Sequence, residues 1–142
     1  MYSFPRDLYV DVRVEESFET EIRFKRLELQ GQKVRREKGA FIRVFDGQRW
    51  YYSSTTDTEH LQTHIETLCS MAKPNPDILA HPIVKAFEVH QERALRYEEH
   101  SVTDVPIQEK QALLETILGR ISDDAIVNHN SYYMDKKTIK SF

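Results

Sequence analysis

The order of apolar and polar residues predicts an α+β fold: a mixed or antiparallel sheet of about six strands with two amphipathic helices packed on one face. Three observations carry this reading. Near its start the chain alternates residue by residue, as a half-buried strand does. In the middle, an Asp-Gly pair separates two β-rich segments. Further on, two windows repeat apolar residues at helical spacing.

From Tyr9 to Glu15, Val10, Val12 and Val14 fall on one face and Asp11, Arg13 and Glu15 on the other. A second run puts Phe18, Thr20, Ile22 and Phe24 in one phase, and Leu27 and Leu29 in the opposite one. A turn or bulge is therefore expected across Lys25-Arg26, because a one-residue slip would otherwise flip every later side chain. Gly39 to Phe45, then Asp46-Gly47, then Gln48 to Ser53 reads as a hairpin closed by a type I′ turn, which needs the positive φ that glycine adopts freely. Both of its strands carry apolar or aromatic residues in both phases. That predicts a central hairpin, covered by helices on one face and by something else on the other.

Thr56 and Glu59 have the spacing of a capping box, and Asp57 is also placed to cap and to favour a helix N-terminus. Leu61, Ile65, Leu68 and Ala72 then form one buried stripe, which Pro74-Asn75-Pro76 stops. Between Asp77 and Thr103, Pro82 interrupts, and Ile83, Val84, Phe87 and Val89 suit either a short strand or a helical turn; irregular structure with short strands is expected. Pro106 to Leu118 reads as the second helix, with Glu109 early, Leu113, Leu114, Ile117 and Leu118 apolar, and Gly119 as its C-terminal punctuation. After Ser122-Asp123-Asp124, Ala125 to Tyr133 and Thr138 to Phe142 read as two strands joined around Asp135-Lys136-Lys137. The finish inside a strand suggests either a shortened chain or a natural edge strand awaiting a partner.

At 142 residues the chain has the common size of one domain, expected over 1–142. Its 39% hydrophobic and 30% charged residues, with only 4 Gly and 5 Pro, describe a globular protein rather than a disordered or repetitive one. A formal charge of −3, with both signs mixed along the chain, gives no strong field toward nucleic acid or an anionic membrane, and neither is an expected partner. The one basic cluster, Lys33, Arg35, Arg36 and Lys38, is diluted by Glu37; it reads as a solvated strand or turn, with a phosphate-binding patch as the sharper alternative. The single Cys69 excludes an internal disulfide and the first residues lack the pattern of a signal peptide, so a cytoplasmic protein is expected. No stretch approaches the roughly 18 apolar residues of a membrane span.

The search for chemistry yields no catalytic, cofactor-binding or metal residue. His60 and His64 have the spacing that places two imidazoles on one helix face, but a metallopeptidase helix needs Glu directly after the first His, and Leu61 stands there. Solvated helix residues are the plainer reading. Cys69 lies beside the apolar stripe and reads as a small buried hydrophobe rather than a nucleophile. The glycines are too scattered for a phosphate loop. Asp11, Glu15 and Glu21 lie on strand faces with no sign that two of them converge. Trp50-Tyr51-Tyr52 suits packing in a core or interface, with a stacking platform or peptide groove as the alternative.

The order of these motifs resembles the opening of the TldD/PmbA proteins (peptidase U62, once called modulators of DNA gyrase). Tyr9 to Glu15, Lys25-Arg26-Leu27-Glu28, Gly39 to Val44, Asp46-Gly47, Trp50 to Asp57 and the following helix carry the resemblance. The helix from Val105 to Glu115 and the strands toward Ser141 continue it. The departures are Lys25-Arg26, where the family often has a small turn with Asp or Gly, and two tyrosines where a Gly-aromatic pair is common. The resemblance implies a cytoplasmic zinc peptidase of two domains that works as a homo- or heterodimer on extended peptides, with its metal on a His-Glu-x-x-x-His helix of a carboxy-terminal domain. This chain has no such helix, so no cofactor is expected in it. It would instead be the amino-terminal domain, which helps form the dimer and walls the peptide channel. The alternative is a stand-alone module that binds a peptide or protein through an exposed sheet edge.

Overall fold

A computed structural model of the chain describes residues 2–87, 94–96, 98–121, 123, 125–126 and 128–142. The strands are β1 (Tyr9–Lys25), β2 (Glu28–Phe45), β3 (Trp50–Thr55) and β4 (Asn130–Ser141). The helices are α1 (Leu61–Cys69), the one-turn α2 (Pro82–Lys85) and α3 (Ile107–Ile121), with a 3-10 turn at Ile78–Ala80. The strands form one antiparallel sheet in the order β3-β2-β1-β4, so the class is α+β.

Four strands stand among the described residues where about six were expected. Val10, Val12 and Val14 share their parity with Phe18, Thr20, Ile22 and Phe24, and Glu15-Glu16-Ser17 contains no Gly or Pro to break the strand, so both runs are one strand, β1. β2 likewise passes through Gly31 and Gly39, neither of which has positive φ. At the other end, Asp135-Lys136-Lys137 is not a turn but the middle of β4. There Tyr133, Asp135 and Lys137 keep one parity and are half-buried, because Asp135 is held inward by Lys110. Ser122, Asp124 and Val127, in and beside the strand expected from Ala125, lie outside the described residues, as does Val89.

The expected turn after Lys25 is present: Arg26 takes φ 55 and its N–H reaches the carbonyl of His129 at 2.8 Å. The β2–β3 hairpin is also present, in the register Phe45↔Trp50 to Ala40↔Thr55. Its loop is Asp46–Arg49, longer than a type I′ pair. The reason is Asp46, whose Oδ1 accepts from the backbone N–H groups of Gln48 at 2.8 Å and Arg49 at 2.7 Å and so closes a wider turn, with Gly47 at φ 96. α1 starts later than the capping box implied. Its N-cap is His60, without a side-chain bond, and Asp57 spends its carboxylate on the His60 N–H at 3.3 Å. Among the described residues, the segment from 77 holds helical turns rather than short strands: Pro82 opens α2, and His81 Nδ1 caps it by accepting from the Ile83 N–H at 3.3 Å. α3 runs through Gly119 to Ile121 instead of stopping there.

The chain divides into two compact units. The first comprises Met1–Glu15, Lys38–Ala94 and Lys140–Phe142. Its core joins Leu8, Ala40, Ile42 and Val44 to Leu61, Ile65 and Leu68 of α1, with Val10, Val12, Val14, Tyr51, Cys69 and Ala72 packed around them. The stripe expected on α1 is thus the one that is buried. Ile65 and Ile42 are fully enclosed, and side chains of that size each contribute about 1.5–3 kcal/mol by leaving water.

The second unit comprises Glu16–Glu37 and Leu95–Ile139. Ile22 and Phe24 of β1 pack on Leu114 and Leu118 of α3, with Ile107 and Tyr133 beside them. The helix buries Lys110, Leu114 and Leu118, while Leu113 and Ile117 lie exposed, so its inner stripe is offset from the all-apolar one expected. The Lys110 ammonium is 2.8 Å from Asp135 Oδ2 and donates to Thr20 Oγ1 at 3.1 Å and the Val102 carbonyl at 2.7 Å. The Tyr133 hydroxyl donates to the same carboxylate at 2.7 Å.

Candidate functional site

Pairing of β2 with β3 places Phe45 opposite Trp50 and Arg43 opposite Tyr52. Strand alternation sends Ala40, Ile42, Val44 and Tyr51 into the helix-covered core and puts Phe41, Arg43, Phe45, Trp50 and Tyr52 on the other face of the first unit. Rings dominate that face. Phe45 stacks on Trp50 with centroids 4.6 Å apart, and Phe41 on Tyr52 at 5.9 Å. Tyr9 meets Trp50 edge-on at 6.0 Å and stacks on Phe87 at 5.0 Å. His81 stands edge-on to Phe45 at 5.1 Å. Offset and edge-on pairs of this kind each add about 0.5–1.5 kcal/mol beyond the area they bury.

Arg43 lies in the middle of the rings. Its Nε is 2.9 Å from both carboxylate oxygens of Asp11, and Nη2 is 2.6 Å from Oδ2. The guanidinium also lies 5.3 Å from the Trp50 ring centre and 6.0 Å from that of Phe87. Burial, and then the Asp11 carboxylate, push the Tyr9 hydroxyl above the ordinary tyrosine value. The charges of Arg43 and Asp11 cancel within the pair, so the surface is aromatic and locally neutral. It can stack apolar or planar groups and seat a strand-like or flat partner surface; it presents no activated nucleophile.

The other candidates separate. His60 Nδ1 is 3.0 Å from the Asp57 carboxylate and His64 Nε2 is 3.5 Å from it, so both imidazoles share one acid on the surface. Among the described residues no group of three or more His, Cys, Asp or Glu is placed to hold a metal ion. Cys69 is half-buried, and burial, then the charges of Asp7 and Glu66, push its thiol up, which keeps it protonated and unreactive. Asp11 goes to Arg43, Glu15 to Lys140 at 3.4 Å, and Glu21 accepts the Tyr132 hydroxyl at 3.0 Å; the three carboxylates do not converge. Of the run Trp50-Tyr51-Tyr52, Trp50 and Tyr52 build the face, while the Tyr51 hydroxyl turns to Asp46 Oδ2 at 3.1 Å. The residues missed were Tyr9, Phe41, Arg43, Phe45 and Phe87. All but Phe87 carried a signal, since each shares strand parity with its neighbours on that face.

Residues 10–73 match the family model described as PmbA/TldA metallopeptidase domain 1. No curated protein matches the chain. Among solved structures, a candidate modulator of a DNA gyrase from Thermotoga maritima aligns with a TM-score of 0.66 and 16% identity over 94% of this chain. One from Bacteroides thetaiotaomicron gives 0.62 and 15% over 92%. TldE from Thermococcus kodakarensis gives 0.50 and 13% over 95%. The chain spans 31% of the length of the first two and 32% of the third. Among the described residues no helix is long and apolar enough to cross a membrane. The sequence match over residues 10–73 and the fold shared with these proteins bear out the resemblance to the amino-terminal domain of the TldD/PmbA family.

Proposed function

We propose that the chain serves as the non-catalytic amino-terminal domain of a cytoplasmic TldD/PmbA-type zinc metallopeptidase, where it contributes to dimerisation and to the wall of the peptide channel. The observation that carries this reading is the match of residues 10–73 to the first-domain model of that family. The family resemblance supports the division of labour: the zinc and the hydrolytic step are assigned to a separate carboxy-terminal domain, and no step is routed through this chain. The aromatic face around Trp50 is the surface best suited to pack against that domain or a second subunit, because interface anchors are enriched in Trp, Tyr and Arg.

Titration calorimetry of the folded chain against a separately produced TldD/PmbA carboxy-terminal domain, and against a second subunit, tests this. Association is expected with at least one, and Trp50→Ala should weaken it by about tenfold or more. A well-folded chain that associates with neither, and adds nothing to peptide cleavage by the zinc-loaded domain, sinks the reading.

A further inference from the structure

Residues Glu28–Glu37 of β2 belong to the second unit and are exposed at every position except the half-buried Gly31. β2 lies between β3 and β1 in the sheet, yet β3 pairs only with Ala40–Phe45. Among the described residues, the side of Glu28–Glu37 away from β1 therefore has no strand beside it, and its outward N–H and C=O groups remain a template for another chain. Leu29 and Val34 are exposed on the same stretch.

The charge there runs against that of the molecule. The chain as a whole is −3, but Lys33, Arg35 and Arg36 stand together on this edge, and the acids Glu28 and Glu37 are at its two ends. Among the described residues, Lys33 and Arg36 have no carboxylate partner. Arg36 lies over the Phe18 ring at 5.1 Å, and Arg35 meets the half-buried Glu19 only at 3.5 Å. Charges of either sign would suffice to keep such an edge from self-assembly. A local excess of one sign, opposite to the net charge, is complementary to an acidic chain.

We propose that this edge takes up an acidic extended segment of a peptide or protein partner, which adds as a further strand beside β2. Lys33 and Arg35 share one face by alternation and Arg36 the other, so acidic residues at every second position of the incoming strand meet the first two, and an acid in the other phase meets the third. Backbone bonding supplies the extended geometry, and the cations select the sign. The inference is independent of the metallopeptidase reading, since it requires no second domain.

The test titrates the 142-residue chain with a capped alternating Glu/Val octapeptide, its Lys/Val counterpart, and the Glu/Val peptide N-methylated at every backbone nitrogen. Amide hydrogen exchange is followed over residues 28–37. Expected are binding of the Glu/Val peptide that weakens with salt, slowed exchange within 28–37, and affinity at least about tenfold lower for the Lys/Val and N-methylated peptides. Lys33→Glu and Arg35→Glu, each with unchanged Trp50 emission as a check on folding, should each weaken binding by a similar factor. Equal binding of the N-methylated peptide, which leaves charge but no ladder, overturns the proposal. So does no binding of the Glu/Val peptide, or retention of a single-stranded oligonucleotide of equal charge in preference to it.

Discussion

Arg43 holds Asp11 by a fork, with Nε 2.9 Å from both carboxylate oxygens and Nη2 2.6 Å from Oδ2, while the same guanidinium lies over Trp50. Both side chains are about a third exposed, so the ion pair is screened and worth toward the upper end of the roughly 0.2–1 kcal/mol of exposed pairs. The stacking adds about 0.5–1 kcal/mol. Arg43→Ala should therefore lower stability by about 1–2 kcal/mol, and Arg43→Lys by less, because it keeps the charge but loses the fork. Urea unfolding followed by Trp50 emission measures both, since Trp50 is the chain's single tryptophan. Equal midpoints for wild type and Arg43→Ala would show that the fork holds nothing in place.

Two glycines should respond oppositely to alanine. Gly47 sits at φ 96, and a Cβ there would run into Asn75 Nδ2, whose amide donates to the Asp46 carbonyl at 3.2 Å. Gly47→Ala combines left-handed strain with a displaced side chain and should cost about 1–3 kcal/mol. Gly119 lies inside α3, and nothing stands within 4 Å of where an alanine Cβ would fall, so Gly119→Ala should stabilise by about 0.5–1 kcal/mol. Thermal unfolding of the two variants should move the midpoint down and up respectively.

How much of this was legible follows from what each residue needed. The Asp46-Gly47 hairpin, the turn at Arg26 and the stripe Leu61, Ile65 and Leu68 depend on local backbone preference and period, which sequence displays. The strand count was misread because charged pairs such as Glu15-Glu16 and Lys136-Lys137 resemble breaks, although parity continues across them. Lys110 was invisible as a core residue: a lysine on a helix reads as solvated until its partner is known, and Asp135 lies 25 positions away on β4. The aromatic face was half legible, through Trp50 and Tyr52. Phe87 joins it only through tertiary placement of a segment with no period of its own.

Stability should fall at both ends of the pH range. Burial alone would raise the Asp46 and Asp135 carboxyls, but the hydrogen bonds they accept outweigh it, from the Arg49 and Gln48 N–H groups in the first case and from Lys110 and Tyr133 in the second, and both sit below the usual value. A lowered folded value means that the stabilisation is present above the unfolded value near ~4 and is lost as pH drops through the folded one. Tyr133 is pushed up to about 12 by burial, then by its bond to Asp135. Its contribution is complete below the unfolded value near ~10 and is lost as pH climbs from there through the folded one. Urea midpoints should therefore drop below about pH 4 and above about pH 10, and Tyr133→Phe should make the alkaline limb shallower. Tyr9 and Cys69, also shifted up, leave a residual slope. An unchanged alkaline limb in Tyr133→Phe would remove Tyr133 from the account.

The pair Lys110 and Asp135 offers a test of coupling rather than of a single contact. Lys110 is 3% exposed and Asp135 10%, so removing one charge leaves the other in a site built for two. Lys110→Met should cost about 3–5 kcal/mol, because Asp135 then keeps only the neutral hydroxyls of Tyr133 and Thr20 against its desolvation. Asp135→Asn should cost a similar amount by stranding the ammonium between Thr20 and the Val102 carbonyl. The double variant removes both charges, and the methionine stem still covers Phe18, over which the ammonium lies at 5.0 Å. Its loss should therefore fall short of the sum of the two single losses by a coupling energy of about 2–3 kcal/mol. Urea unfolding of the four proteins at pH 7 closes the cycle. If the two single losses simply add, the buried pair is not the element that fixes α3 against β4, and the packing of Leu114 and Leu118 on Ile22 and Phe24 must set that register by itself.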